Sequence, residues 1–482
     1  MPPLTENRIR TDVPGFDEVL RGGLIPRRTY LIRGGPGAGK TTLGLHFLTN
    51  GPRSESLFVT LGESEQQLRD NARRSGLPMD GVAVLDLSPG QEESGDTYTI
   101  LESWDVEGNS VYDSILSYVR EHQPKRILID SLSQMRYLSA DTFLFRKQVM
   151  SLLRKLTTEG ATVMFTSEQG PADEDETLSF LSDGVITLEQ TESGRHCRVT
   201  KLRGSPFAHG AHDFTLGDGG ITLYPRLVPS HHGRQMEHAP LPSGLPEFDA
   251  LTNGGLERGT VTLLSGPTGV GKTTLGAQLM SEAAKRHERS VIYSFDEGAS
   301  TFFARCRQVS LPVEEMIATG HLNFEAVESL HYSPDEFAAR VRVEVEERGT
   351  TMVMIDSLSG YQQSVRGDDL QRRVHALCRY LVNMGVTVLL VNEIFSITGQ
   401  QTRATEYGLS YLADNIIMLR YLELNSELRK SIGVLKKRVG GFERTLREFE
   451  ICPEGIKVGQ PFHGLRGILG GIPDVTDTRG AT

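Results

Sequence analysis

Two strand-like apolar runs, "RRTYLIRG" and "GTVTLLSG", each end at a glycine-rich loop. Each loop leads into a segment with apolar residues at helical spacing, "TTLGLHFLTN" and "TTLGAQLMSEAAKR". Later short apolar runs come in matched pairs: "RILID" and "TMVMID" end in Asp, and "ATVMFTSE" and "VTVLLVNE" end in Glu. Apolar strands that alternate with helical segments predict an α/β fold in which each sheet is mostly parallel and flanked by helices.

The pairing extends along the whole chain. Lys40 is matched by Lys272, and the "GGL" segment at Gly22 by another at Gly254, with the same offset. "IDSLS" at Ile129 recurs at Ile355, and "KLR" at Lys201 has a counterpart, "KKR", at Lys436, with offsets close to the first. Matches in one order at a nearly constant offset indicate a tandem duplication, and the period is long enough for each copy to be a complete domain. The expected boundaries are 1–225 for the first domain, 226–242 for a Pro- and His-rich linker, and 243–482 for the second, with "GIPDVTDTRGAT" as a flexible tail.

The loops "GGPGAGKTT" and "GPTGVGKTT" fit GxxxxGK[ST] between a strand and a helix, a P-loop. Glycines let backbone N–H groups turn toward phosphates, and the helix start adds the positive end of its dipole. The candidate nucleotide-binding residues are therefore Gly35, Pro36, Gly37, Ala38, Gly39, Lys40, Thr41 and Thr42 in copy one. In copy two they are Pro267, Thr268, Gly269, Val270, Gly271, Lys272, Thr273 and Thr274. The lysines would reach the β- and γ-phosphates of ATP, and Thr41 and Thr273 would ligate Mg²⁺. Asp130 and Asp356, at the ends of matched strands, fit the second Mg²⁺-holding position.

Phosphoryl transfer also needs a group to orient or deprotonate the nucleophile. Glu63 in "LGESE" and the pair Asp296 and Glu297 in "FDEGAS" are the candidate catalytic residues, with Gly62 at the position of Asp296. Glu168 and Glu393 are either γ-phosphate sensors or salt-bridge partners. Lys201 with Arg203 and Lys436 with Arg438 form K-x-R pairs, and alternate residues of a strand share a face. They are either a solvated edge or cations that reach a neighbouring subunit's nucleotide.

Composition narrows the partners. With 51 Lys and Arg against 62 Asp and Glu, the net charge is −11, which argues against nucleic acid as a partner. The four cysteines have no metal-ligand or disulfide spacing. No apolar run has the length of a membrane span, and "MPPLTENRIR" has no hydrophobic signal region, so a cytoplasmic protein is expected.

Taken together, "GFDEVLRGGLIPRRTYLIRGGPGAGKTTLGLHFL", "NARRSGL", "IDSLS", "KLRGS", "LADNIIMLRYLE", "LKKRVGGFERTLREFEI" and "GLRGILGGIP" resemble the KaiC family over nearly the whole chain. The resemblance implies two tandem RecA-like P-loop NTPase domains and a homohexamer with ATP between subunits. The K-x-R pairs would be the trans cations. It further implies a first copy that is mainly a slow ATPase, a second that is a serine/threonine autokinase, a role in clock-type or signalling regulation, and KaiB-like or other signalling partners. The family's Ser-Thr phosphoacceptor pair falls on Ser410 and Tyr411, and Thr405 matches an upstream threonine. Tyr411 in place of threonine argues against an ordered two-site cycle. The alternatives are an ATP-switched scaffold without kinase activity and a DNA-repair RecA-type ATPase.

Overall fold

The computed structural model describes residues 8–88, 104–136, 142–168, 172–235, 239–328, 330–365, 369–394, 411–424, 426–462, 465–466 and 474–475. The chain divides into two compact units, Met1–Arg226 and Leu227–Thr482. No described helix is long and apolar enough to cross a membrane.

The first unit holds β1 (Thr29–Gly34), β2 (Ser56–Thr60), β3 (Ala83–Asp86), β4 (Arg126–Asp130), β5 (Thr162–Glu168), β6 (Gly184–Thr191), β7 (Gly194–Leu202), β8 (His212–Gly217) and β9 (Gly220–Tyr224). They form one sheet in the order β3-β2-β4-β5-β1-β6-β7-β8-β9. Pairings from β3 through β6 are parallel and those from β6 to β9 antiparallel.

The second unit opens with a small pair, β10 (Pro240–Leu241) and β11 (Leu256–Glu257). Its main sheet contains β12 (Val261–Gly266), β13 (Ser290–Ser294), β14 (Leu322–Ala326), β15 (Met352–Asp356), β16 (Thr387–Glu393), β17 (Asn415–Leu424), β18 (Glu427–Lys437), β19 (Arg447–Cys452) and β20 (Gly455–Pro461). Their order, β14-β13-β15-β16-β12-β17-β18-β19-β20, repeats that of the first unit strand for strand. The parallel part follows from the apolar runs. The antiparallel extension was not foreseen, since its strands mix buried and exposed positions in place of the continuous apolar runs of the parallel strands.

Period-two alternation divides each core between the two faces of its sheet. In the first unit Tyr30, Ile32, Phe58 and Leu128 join one cluster, while Leu31, Leu57, Val59, Ile127 and Ile129 join the other. The helix Lys40–Thr49 packs Leu43, Leu45, Phe47 and Leu48 into the first of these. The second unit repeats the division, with Leu264, Ile292 and Met354 on the face of the helix Lys272–Lys285 and Leu263, Val291, Tyr293, Val353 and Ile355 on the other. Each such side chain contributes about 1.5–3 kcal/mol by leaving water. The resulting rigidity fixes where β1 and β12 deliver their loops.

The first part of the stretch read as a linker is packed into the second unit. Pro229 O accepts from Asn383 Nδ2 at 2.8 Å, Arg234 N donates to Asn383 O at 2.9 Å, and His232 lies 3.2 Å from Glu346. These contacts anchor it to the helix Leu370–Asn383 and its surroundings. Asp474–Val475, inside the segment expected to be a flexible tail, pairs antiparallel with Leu465–Arg466.

Candidate nucleotide site

Each P-loop connects the C-terminal end of a central strand to a helix N-terminus. Gly39 and Gly271 sit at the helix start with φ of 99° and 116°, a backbone region that L side chains rarely adopt. A Cβ at Gly271 would also lie 2.5 Å from Ile451 Cδ1. Lys40 Nζ donates to Gly34 O and Gly35 O, both at 2.9 Å. Lys272 Nζ does the same to Gly266 O at 2.8 Å and Pro267 O at 2.9 Å. Burial lowers the pKa of Lys272, against the opposing pull of Glu393, Asp356 and Asp296.

Residues far apart in sequence meet beside these loops. Thr41 Oγ1 donates to Asp130 Oδ2 at 2.6 Å, and Thr273 Oγ1 to Asp356 Oδ2 at 2.7 Å. Each hydroxyl and carboxylate pair offers oxygen ligands of the hard type that Mg²⁺ takes. The two carboxylates differ in support. Asp130 also accepts from Thr166 Oγ1. The matching position in the second unit is Val391, which has no hydroxyl. Burial pushes the Asp356 carboxyl up to about 6, with Thr273 and then Arg305 acting against it.

This gives a stability prediction with a definite sign. Asp356 has its carboxyl raised in the fold, so burying it is least costly below its ordinary value of 3.8 and the cost grows as pH rises through about 6. Asp356→Asn is therefore expected to stabilise the second unit at pH 7–8 by up to about 3 kcal/mol. The gain should vanish as pH falls toward 4. Thermal melts across that range, without nucleotide, check it, and a variant less stable than the parent at pH 8 would contradict it.

The acidic turns after β2 and β13 have matching frames. Thr60 Oγ1 donates to Glu63 O at 2.6 Å, and Ser294 Oγ to Glu297 O at 2.8 Å. Glu297 lines a cleft of about 850 Å³ together with Thr268, Lys272, Thr273, Asp296, Asp356 and Glu393. Asp296 accepts from Ser357 Oγ at 2.6 Å. Glu393 accepts from Thr268 Oγ1 at 3.1 Å and lies 4.0 Å from Lys272 Nζ. Glu393 is thus an ion-pair partner of the P-loop lysine within this unit.

Three features of the site escaped the reading of the sequence. Arg195 Nη1 donates to Gly37 O at 2.8 Å, and Lys430 Nζ to Gly269 O at 3.3 Å. These cations hold equivalent places on β7 and β18 and cover the P-loops from the antiparallel side. A second pair, Asn71 and Arg305, touches Glu63 and Glu297. The third is reciprocal. A Cβ at Gly62 would lie 2.5 Å from Gln134 Nε2. In the second unit, Asp296 takes the place of Gly62 and Gly360 that of Gln134, and a Cβ at Gly360 would lie 2.6 Å from Phe295 Cβ and 2.7 Å from Asp296 Oδ1. The Gln134 amide occupies this place in the first unit, and the Asp296 carboxylate, with Phe295 beside it, in the second. All three were present as matched pairs in the duplication, but their contacts depend on the fold.

The K-x-R pairs lie away from the P-loop of their own unit. Lys201 pairs with Val185 and the adjacent Gly184 with Tyr30, near the start of β1. The P-loop leaves the other end of β1, about 13 Å beyond Tyr30. Lys436 pairs with Ile416, next to Asn415, which pairs with Thr262 near the start of β12. Lys201 Nζ donates to Ser179 O at 2.7 Å and Lys436 Nζ to Ala413 O at 2.7 Å. Both strands end one residue before the arginine, so only the lysine of each pair sits in the ladder. Arg203 lies 3.6 Å from Asp183, and Arg438 2.9 Å from Asp414. Thr405 and Ser410 lie outside the described residues.

A family model for the KaiC ATPase matches residues 9–228 and again 241–462. The chain belongs to the KaiC family. The circadian clock oscillator protein KaiC of Parasynechococcus marenigrum (strain WH8102) is 27% identical over 494 residues, covering 98% of this chain and 94% of that protein. KaiC of Acaryochloris marina (strain MBIC 11017) is 27% identical over 486 residues, covering 97% and 91%. Circadian clock oscillator protein KaiC 1 of Synechocystis (strain ATCC 27184 / PCC 6803 / Kazusa) is 27% identical over 483 residues, covering 97% and 92%. The two matched segments of the KaiC family correspond to the two nine-stranded sheets, which are tandem RecA-like domains. Family membership makes this chain a KaiC-type ATPase by class.

Proposed function

We propose that this protein binds ATP in both units, hydrolyses it, assembles as a homohexamer, and autophosphorylates in its second unit at Ser410. The observation that carries the reading is the cleft of the second unit, which gathers Lys272, Thr273, Asp356 and Glu297 around one space. These residues fit a Mg²⁺–nucleotide. The loop glycines turn the backbone, the lysine is already held among loop carbonyls, and a hydroxyl and a carboxylate stand together as hard ligands. Mg²⁺ held there by Thr273 and Asp356 would neutralise charge on the substrate's phosphates.

The chain's own groups have separate duties. Lys272 Nζ binds the phosphates, which replace its loop carbonyls as acceptors. Glu297 accepts the proton of the Ser410 hydroxyl from an adjacent copy, or of a water molecule. Lys436 and Arg438 reach the nucleotide of the next subunit, a placement supported by their position at the far end of the sheet from their own P-loop. In the first unit Glu63 and Lys40 act on water alone. A role in clock-type or signalling regulation, with KaiB-like or other partners, fits the named functions of the relatives.

The test is to incubate the purified chain with Mg²⁺ and γ-labelled ATP, following released phosphate and protein-bound label together. Label is expected on the peptide spanning residues 405–411 and should fall to background in Ser410→Ala. Released phosphate with no label on the protein would mean an ATP-switched scaffold without kinase activity.

A further inference from the structure

The helix Ala299–Gln308 follows β13 as the helix Glu65–Arg74 follows β2. At matching positions of the two copies, the first helix carries Asn71 and the second Arg305. Asn71 Nδ2 donates to Glu63 Oε2 at 3.3 Å. Arg305 Nη2 donates to Glu297 Oε2 at 2.7 Å. One copy thus gives its candidate base a neutral amide, and the other gives it a full cation.

Arg305 is built into the wall of the site. It lines the same cleft as Lys272, Thr273 and Glu297. Its guanidinium carbon lies 5.8 Å from the ring centroid of Phe302, which is buried and stacked on Phe324 at 4.6 Å. Arg305 Nε is buried and has no hydrogen-bond partner among the described residues. A guanidinium has five N–H donors and no acceptor, so the ion pair with Glu297 leaves donors to offer.

We propose that Arg305 is a positioning residue that holds Glu297 and exchanges it for the terminal phosphate of a triphosphate. The inference rests on the reading that this cleft takes ATP. While Arg305 holds Glu297 Oε2, that oxygen is occupied as an acceptor and is not free to take a proton from a nucleophile. A terminal phosphate presents three oxygens and more negative charge than one carboxylate, so it competes for the same guanidinium. A diphosphate lacks that group. Glu297 is therefore released to accept a proton only when there is a phosphoryl group to transfer. Asn71, carrying no charge, leaves the first unit without this control.

The experiment measures binding of ADP and of a non-hydrolysable ATP analogue to the full chain carrying Lys40→Ala, so that only the second unit binds. Arg305→Asn is expected to lower the preference for the triphosphate by about tenfold while leaving ADP affinity unchanged. Arg305→Lys should recover part of the preference. Glu297→Gln removes the competing charge and should raise the preference. Equal weakening of both nucleotides by Arg305→Asn would mean a structural arginine and would overturn the proposal, as would an unchanged preference in Glu297→Gln. If the parent binds neither nucleotide, the functional reading fails and this inference with it. Binding with an unaltered preference sinks the inference alone.

Discussion

Glu297→Gln is expected to slow phosphoryl transfer from the second unit by about 10²–10⁴-fold, the usual contribution of a positioned general base. The amide keeps the shape of the side chain and can still accept from Arg305 at the site where Glu297 Oε2 now does. It cannot take a proton from a hydroxyl. Binding should therefore survive while the rate collapses, which separates loss of the base from loss of the site. Single-turnover transfer of γ-label, set beside equilibrium binding, reads both. A rate within about threefold of the parent would remove Glu297 from the mechanism and direct attention to Asp296, which faces the same cleft. The equivalent change in the first unit, Glu63→Gln, should leave this measurement alone.

Arg438→Ala should be as severe, with a loss of about 10³-fold or more if the arginine acts on transferring phosphate. Its position makes a sharper experiment available. Arg438 pairs with Asp414, next to the strand start at Asn415, while Lys272 sits beyond the opposite end of the neighbouring β12. A cation at one end of the sheet cannot serve a loop at the other. Subunits carrying Lys272→Ala and subunits carrying Arg438→Ala should each be inactive, yet mixed assemblies should regain activity. With random placement in a head-to-tail ring, about a quarter of the interfaces would join an intact loop to an intact arginine. A mixture no more active than its components, with assembly intact, would show that Arg438 does not act across subunits.

The parts of this molecule that were legible in the sequence are those where one short segment carries the whole constraint. A P-loop needs its glycines, lysine and threonine in one run, and its helix declares itself through Leu275, Leu279 and Met280. Asp130 and Asp356 were identifiable because each ends an apolar strand at a similar distance from a P-loop. The antiparallel extension was harder to see, because its strands are shared between core and surface. Arg195 and Lys430 were missed for a related reason. Each is one cation among several on a polar strand, and only the fold over the P-loop singles it out. Arg305 carried no signal in the sequence, because only the turn after β13 brings Glu297 against it. The segment around Pro229 read as a linker from composition, because its anchoring depends on Asn383, far along the chain.

The reciprocal filling beside the acidic turns constrains how the two halves of the gene product can trade parts. Gly62 faces Gln134, and Asp296 faces Gly360. A graft that moves the segment after β13 into the first unit brings a carboxylate against the glutamine amide. A graft that moves only the segment after β15 leaves a gap where both walls are glycine. Each piece fits its native half, and in the other the Gln134 side chain has to swing aside or a gap is left. Chimaeras of the two halves should therefore be cut so that the turn and the strand end facing it travel as one block.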